Sequence, residues 1–222
     1  QYNRRNTGLM PTKSAIAGMC CAALGLPRGG DKEQDFLSSF GMVRMTAIAI
    51  PRARVKKELP VRRLLDYHTV GGGYDPNDPG ERGCITVTAE DGKPKAKKGQ
   101  SIAVLTHRQY LTDASFGVLL EGTSPLLKQI ADALENPVWG IWLGRKACIP
   151  SAPVFAGLKR NRDEALSLII GEKPLEMFSR QEEVENFAEG RDSLPDTPVS
   201  FATERRLFSP RRVRTLQGTA RL

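Results

Sequence analysis

Two short flanks hold much of the side-chain chemistry available to this chain. The first reads Leu65, Asp66, Tyr67, His68, Thr69 and Val70. The second runs from Thr106 through His107, Arg108, Gln109, Tyr110 and Leu111, then Thr112, Asp113, Ala114, Ser115 and Phe116. Both histidines of the chain lie in these flanks. Rings can stack on bases and cations can hold phosphates, so the mixture suits a grip on RNA. It also contains what acid–base cleavage of RNA needs, a base near the ribose hydroxyl and a cation near the phosphate. His68, with Tyr67 and basic neighbours, could fill those roles; hydrogen bonding or stacking is the simpler role for His68 and His107.

Two further clusters could hold an anion. Thr12, Lys13 and Ser14 begin an apolar-periodic segment, where free backbone N–H groups and two hydroxyls could meet a phosphate. Lys13 in a first helical turn opposes the helix dipole, and a bound anion would relieve that; an exposed lysine tolerating the cost is the alternative. Gly144, Arg145 and Lys146 form the other cluster, in which glycine lets a backbone approach phosphate beside two cations. A turn with two solvated cations is the alternative there.

The elements that must position these groups are readable from periodicity. Ile16, Met19, Cys20, Ala23 and Leu24 define one face of a helix capped by Thr12 and ended by Gly25 and Pro27. Asp31 is expected to cap a second helix reaching Phe40, with Phe36, Leu37 and Phe40 buried. Met42 to Ile50 and Ser115 to Glu121 read as core strands. Ser124-Pro125 opens a helix with Leu126, Leu127, Ile130 and Leu134 inward, and Asn136-Pro137 stops it. Val138 to Leu143 reads as a short aromatic strand.

Arg52, Arg54 and Lys56 would share one face of an extended segment and form a cationic stripe. Beyond position 150, Asp163 to Ile170 reads as a short helix, with closing strands at Val199 to Ala202 and Arg212 to Leu216. The acidic run 172–192 is expected to face away from nucleic acid. Arg205, Arg206, Arg211, Arg212 and Arg214 restore positive charge after it.

Between the two flanks lies a loose insert. Gly71, Gly72, Gly73, Pro76, Pro79 and Gly80 open it, Asp91-Gly92 marks a tight turn, and Lys93, Lys95, Lys97 and Lys98 follow. Few large apolar residues lie within it, so a long projecting hairpin that orders on a partner is expected.

The bulk numbers agree with a polyanion partner. The chain has 222 residues, a formal net charge of +8 and 40% hydrophobic residues. No apolar run is long enough to span a bilayer, so no membrane partner is expected. Cys20, Cys21, Cys84 and Cys148 lack CxxC or metal-ligand spacing, which suits a reduced, cytoplasmic setting without metal or cofactor. No Walker loop, GxSxG elbow or HExxH helix occurs.

Four blocks, in order, resemble one family. They are Pro11-Thr12-Lys13-Ser14 with the small-residue helix to Leu26; Asp66-Tyr67-His68-Thr69-Val70; Arg108-Gln109-Tyr110-Leu111 with Asp113-Ala114-Ser115-Phe116; and Leu143-Gly144-Arg145-Lys146-Ala147-Cys148-Ile149-Pro150. Together they are similar to the Cas-five (CasD-type) subunits of type I-E CRISPR Cascade, in the RAMP superfamily. The resemblance spans most of residues 7–158, weakens through 159–195 and returns near the arginine-rich end.

That resemblance implies an α+β, ferredoxin-like or RRM-like (RAMP) domain over residues 1–150, with its first strand expected upstream of residue 1. It implies a protruding β-hairpin thumb at about 71–104 and a smaller C-terminal β-rich region at 151–222. It implies a noncatalytic subunit in antiviral defence that binds the five-prime handle of crRNA and caps a backbone of repeated subunits. Its partners would be the adjacent backbone subunit and the large PAM-reading subunit, with target DNA met through the assembled complex. Carried over by position, the RNA-binding residues are Thr12, Lys13, Ser14, His68, Arg108, Tyr110, Arg145 and Lys146, and the thumb lysines are Lys93, Lys95, Lys97 and Lys98. A related subtype processes crRNA precursor, so a metal-independent endoribonuclease is the alternative.

Overall fold

The computed structural model describes residues 4–54, 57–59, 61–70 and 104–219. In chain order the elements are β1 (Arg4–Arg5), α1 (Lys13–Ala23), α2 (Asp31–Gly41), β2 (Arg44–Ile50), β3 (Arg52–Arg54), β4 (Lys57–Leu59) and β5 (Arg62–Val70). There follow β6 (Val104–Thr112), β7 (Ser115–Glu121), α3 (Ser124–Glu135), α4 (Arg162–Ile170), β8 (Arg180–Glu183), β9 (Asp192–Ser200) and β10 (Leu207–Leu216). The protein is thus α+β. Its contacts divide into two units, residues 1–9 with 60–113, and residues 10–59 with 114–222.

In the first unit the two chemically dense flanks pair. β5 and β6 form an antiparallel ladder from Arg62↔Thr112 to Val70↔Val104. The short β1 joins β6 in parallel, where the polar opening residues read as irregular. The insert's hairpin and its four lysines, Lys93, Lys95, Lys97 and Lys98, lie outside the described residues.

The second unit is built on a five-stranded antiparallel sheet ordered β7-β2-β8-β10-β9. β2 is an interior strand between β7 and β8, buried on both faces. Met45 and Ala47 pack with Ile16, Cys20, Phe36, Leu37, Phe40 and Ile130 of the helices. Ile48 faces the other way, into a smaller cluster with Leu119, Leu166 and Phe178. Alternation along a strand sends these neighbours to opposite faces, which accounts for the imperfect apolar pattern of β2. In α2, Phe36, Leu37 and Phe40 are buried as expected, but Asp31 is the first helical residue and Gly30 is the cap.

Three expectations change. Residues 151–222 do not stand apart as a small β region, because β8 bonds directly to β2 and joins the main sheet. The Arg52, Arg54 and Lys56 stripe does not continue along one extended segment: β3 ends at Arg54 and turns back on β4, with Arg54 opposite Lys57. Lys56 lies outside the described residues. Val138 to Leu143 is no strand, because its backbone completes α1 instead. Val138 N–H donates to Ala23 O at 2.8 Å and Trp139 N–H to Ala22 O at 3.2 Å. Those carbonyls belong to the last turn of a helix, where intrahelical donors run out; Ala22 O accepts from Gly25 N–H as well, at 3.1 Å.

Gly117 on β7 shows how closely α4 approaches the sheet. A Cβ there would collide with Cγ2 of Ile169, a methyl held directly on that residue's branched Cβ. Gly117→Ala is expected to lower unfolding free energy by about 1–3 kcal/mol through overpacking. Denaturant unfolding checks this: the same substitution in an Ile169→Ala background should cost much less.

Candidate nucleic-acid interface

Five of the sequence-predicted residues belong to the second unit and surround the start of α1. Thr12 behaves as read: its Oγ1 accepts from Ala15 N–H at 3.2 Å and lies 3.1 Å from the Ser14 hydroxyl. Gly144, Arg145 and Lys146 form a tight turn. Arg145 N–H donates to Leu143 O and Cys148 N–H to Arg145 O, each at 2.8 Å, while Leu143 N–H donates to Cys148 O. Gly144 adopts φ 72°, a left-handed conformation that favours glycine. A Cβ on Gly144 would sit 3.5 Å from Cβ of Ala15, so this turn packs on the first turn of α1. The structure therefore brings the Thr12/Ser14 hydroxyls and the Arg145–Lys146 turn to one end of one helix. Lys146 is exposed and Arg145 half-buried.

Lys13 is the exception among the five. Its side chain is fully buried, at 0% exposure, and cannot meet a phosphate in solvent. Lys13 Nζ donates to both Glu183 oxygens at 2.9 and 3.1 Å and to Gly41 O at 3.0 Å. Its backbone N–H donates to Asp196 Oδ2 at 2.9 Å. Asp196 in turn accepts from Arg211 Nε at 2.6 Å and Nη2 at 3.1 Å. Glu183 also accepts from Met45 N–H at 3.1 Å and lies 3.6 Å from Arg211 Nη1. The dipole mismatch at Lys13 was a real signal, but the anions that answer it are the protein's own. Glu183, Asp196 and Arg211 escaped sequence reasoning because they lie on β8, β9 and β10, far along the chain.

The acidic run divides: Glu172, Glu176, Glu185, Glu189 and Asp192 are exposed, but Glu182 and Glu183 point into the sheet's charged network rather than outward. Glu182 bonds Arg180 Nε at 2.7 Å and Arg214 Nη2 at 2.6 Å. Burial pushes the Glu182 carboxyl up, but the hydrogen bonds and charges of Arg180 and Arg214 outweigh it, and its pKa is lowered. Burial pushes the Cys20 and Cys21 thiols up to about 12, so both are inert packing groups.

His68, Arg108 and Tyr110 belong to the first unit. The ladder sets Leu64 opposite Tyr110, Asp66 opposite Arg108 and position 68 opposite Thr106. Residues facing each other across an antiparallel pair share a face, so positions 68, 108 and 110 fall on one side. On the other side Tyr67 and His107 make an edge-on ring contact at 5.3 Å. Parallel pairing of β1 places Arg5 beside Arg108. Arg108 is half-buried, and its Nε–H has no hydrogen-bond acceptor among the described residues.

Removing one partner of the buried network should be severe. Lys13→Ala is expected to cost about 3–5 kcal/mol by taking from Glu183 its hydrogen-bonded cation and leaving it only Met45 N–H and Arg211 at 3.6 Å, whereas Lys146→Ala should stay within about 0.5 kcal/mol. Denaturant unfolding of the two variants separates them. Glu182 adds a pH dependence. Its folded pKa lies below the ordinary value of 4.5, so its stabilisation is complete above that value and lost as pH falls through the lowered folded pKa. Glu182→Gln should flatten the acid limb of a stability–pH curve measured below about pH 5.

A family model described as "CRISPR-associated protein (Cas_Cas5)" matches residues 1–214. The chain is 29% identical over 170 residues to "CRISPR system Cascade subunit CasD" of Escherichia coli (strain K12). That alignment covers 74% of this chain and 66% of the relative, so the chain spans just under two thirds of the relative's length. Among solved structures it is similar to a chain of a "CRISPR RNA-guided surveillance complex", with TM-score 0.70, 28% identity, and coverage of 98% of this chain and 83% of that one. A "Crystal structure of Cas protein" aligns with TM-score 0.58 and 26% identity, covering 96% and 85%. With the family match running through nearly every element from the opening residues to β10, this chain belongs to the CRISPR-associated Cas_Cas5 protein family.

Proposed function

We propose that the chain is a noncatalytic subunit of a type I-E CRISPR Cascade, where it binds the five-prime handle of crRNA and caps the backbone of an RNA-guided surveillance complex. The observation that carries this reading is the similarity, over 98% of the chain, to a chain of a solved CRISPR RNA-guided surveillance complex. The likeness to a Cascade subunit of Escherichia coli supports it. Its partners are the crRNA handle, the adjacent backbone subunit and the large PAM-reading subunit, and it meets target DNA through the assembled complex. The protein works in the cytoplasm; no described helix is long and apolar enough to cross a membrane.

The same reading assigns a ferredoxin-like RAMP core and a thumb arising from the β5–β6 ladder. Support for the thumb is that the insert at 71–103 is flanked by strands paired to each other. Handle RNA is held by the Thr12 and Ser14 hydroxyls with Arg145 and Lys146, and by Arg108, Tyr110 and His68 on their face of the ladder. The orphaned Nε–H of Arg108 is a donor awaiting an acceptor, and a phosphate oxygen supplies one. Lys13 supports the grip from inside by fixing the first turn of α1.

Handle RNA binding tests the reading. Arg145→Ala/Lys146→Ala is expected to weaken binding of handle RNA about 10-fold at low salt. The dependence of log K on log salt should become shallower by about 1.4, since each lost phosphate contact to a single strand removes about 0.7. Equal affinity and slope in variant and wild type would remove these residues from the interface. Repeat RNA incubated with the chain should remain intact; cleavage abolished by His68→Ala would establish the endoribonuclease instead.

A further inference from the structure

The outer edge of β5 is open. In the first unit's sheet, ordered β1-β6-β5, β6 is the inner strand and β5 is paired on one side only among the described strands. Its nine residues carry alternate backbone N–H and C=O groups away from β6. Leu64, Leu65 and Tyr67 on this strand are 53%, 60% and 60% exposed. The devices that ordinarily blunt an edge are missing from it. It has no proline and no lysine, and its register with β6 runs unbroken from Arg62↔Thr112 to Val70↔Val104.

Charge on the strand is unanswered as well. Arg62 is exposed and Asp66 half-buried, and alternation puts both on one face. Neither has an ion-pair partner among the described residues, although Arg108 stands opposite Asp66.

A two-fold axis perpendicular to the sheet would set a second β5 antiparallel to the first and keep each face on its own side. Facing residues must then both be even or both be odd in number. One register answers the charges. With Leu64 facing the partner's Leu64, Arg62 faces the partner's Asp66 at two symmetric positions. The same register sets Val61 against the partner's Tyr67. It sets Arg63 against the partner's Leu65, over which the arginine stem can lie. Centring on Arg63 would bring two guanidiniums together, and centring on Asp66 two carboxylates. Centring on Leu65 would leave Asp66 facing an apolar Leu64.

We propose that β5 is a self-association edge, through which two copies of this chain pair antiparallel about Leu64. The two three-stranded sheets then become one sheet of six strands. The occupant is a second copy because the strand complements itself. An isologous contact also closes after two copies, so the edge is consumed and is not left as a template for longer aggregates. The outermost strands of the joined sheet are the two-residue β1 of each copy, a much shorter edge. The pairing uses neither RNA nor another subunit.

The test is sedimentation equilibrium of the full chain without RNA. A single strand pair lies at the small, weak end of interface sizes, so the chain is run from about 10 to about 200 µM. The mass is expected to rise toward twice that of the chain. Arg62→Asp and Asp66→Arg, each alone, set like charges opposite one another at both symmetric positions. Each is expected to weaken self-association at least about 10-fold. An equimolar mixture of the two variants should associate as the wild type does, because opposite charges again face each other at both positions. Recovery in the mixture also shows that neither variant lost its fold. Leu64→Lys, which sets two ammonium groups face to face at the axis, should likewise dissociate the pair. A wild type that stays monomeric at about 200 µM, association unchanged by Arg62→Asp, or a mixture that stays monomeric would each overturn the proposal.

Discussion

The ion pair between Lys13 and Glu183 ties together the two halves of the second unit's sequence. It joins the first turn of α1 to β8, separated by 170 residues, and the Gly41 carbonyl and Met45 N–H draw in the end of α2 and the start of β2. Arg211 and Asp196 extend it to β10 and β9. Two cations face two carboxylates, so the buried charge balances. Buried pairs are seldom a net gain over apolar packing, because each ion must first leave water. What this one supplies is position: a salt bridge with several fixed hydrogen bonds tolerates far less sliding than an aliphatic contact.

That constraint explains how β8 can occupy the middle of a sheet. A four-residue strand reading Arg-Gln-Glu-Glu has no apolar face to bury. Its alternate side chains are instead neutralised on both faces. Glu183 meets Lys13 beneath the helices, while Arg180 and Glu182 pair on the opposite face and Arg214 closes the second pair. The C-terminal segment therefore completes the main sheet, and the start of α1 is pinned against it. The Arg145–Lys146 turn rests on that pinned turn through Gly144 and Ala15, so the surface groups inherit the rigidity of a buried charge pair.

Elements with local signals were legible in the sequence. α1 has its cap and small-residue face, α2 its Phe36, Leu37 and Phe40 stripe, α3 its Ser-Pro start, and β2 and β7 their apolar runs. What escaped were elements whose partners are distant. Val138 and Trp139 look like strand because aromatic and β-branched residues favour one, yet their backbone is consumed by the α1 carbonyls. β8 reads as a solvated acidic run because nothing local reveals Lys13, Arg211 or Arg214. The candidate site follows the same rule. Residue types at Thr12, Ser14, Arg145 and Lys146 were readable, and the fold gathers them; Lys13 carried the right charge and faced the other way.

A net charge of +8 consequently says little about where a polyanion can sit. Lys13, Arg180, Arg211 and Arg214 are all held by carboxylates within the sheet. Removing matched pairs leaves the net charge as it was but concentrates it on far fewer groups. Of the cations that remain exposed in the second unit, Lys146 stands at the Gly144 turn and Arg205 and Arg206 at the β9–β10 turn, while Lys128, Lys159, Arg160, Lys173 and Arg191 lie elsewhere on its surface. Long-range pairing inside the fold thus decides which cations are available outside it, and the contiguous arginines of β10 are dispersed in function by the alternation of a single strand.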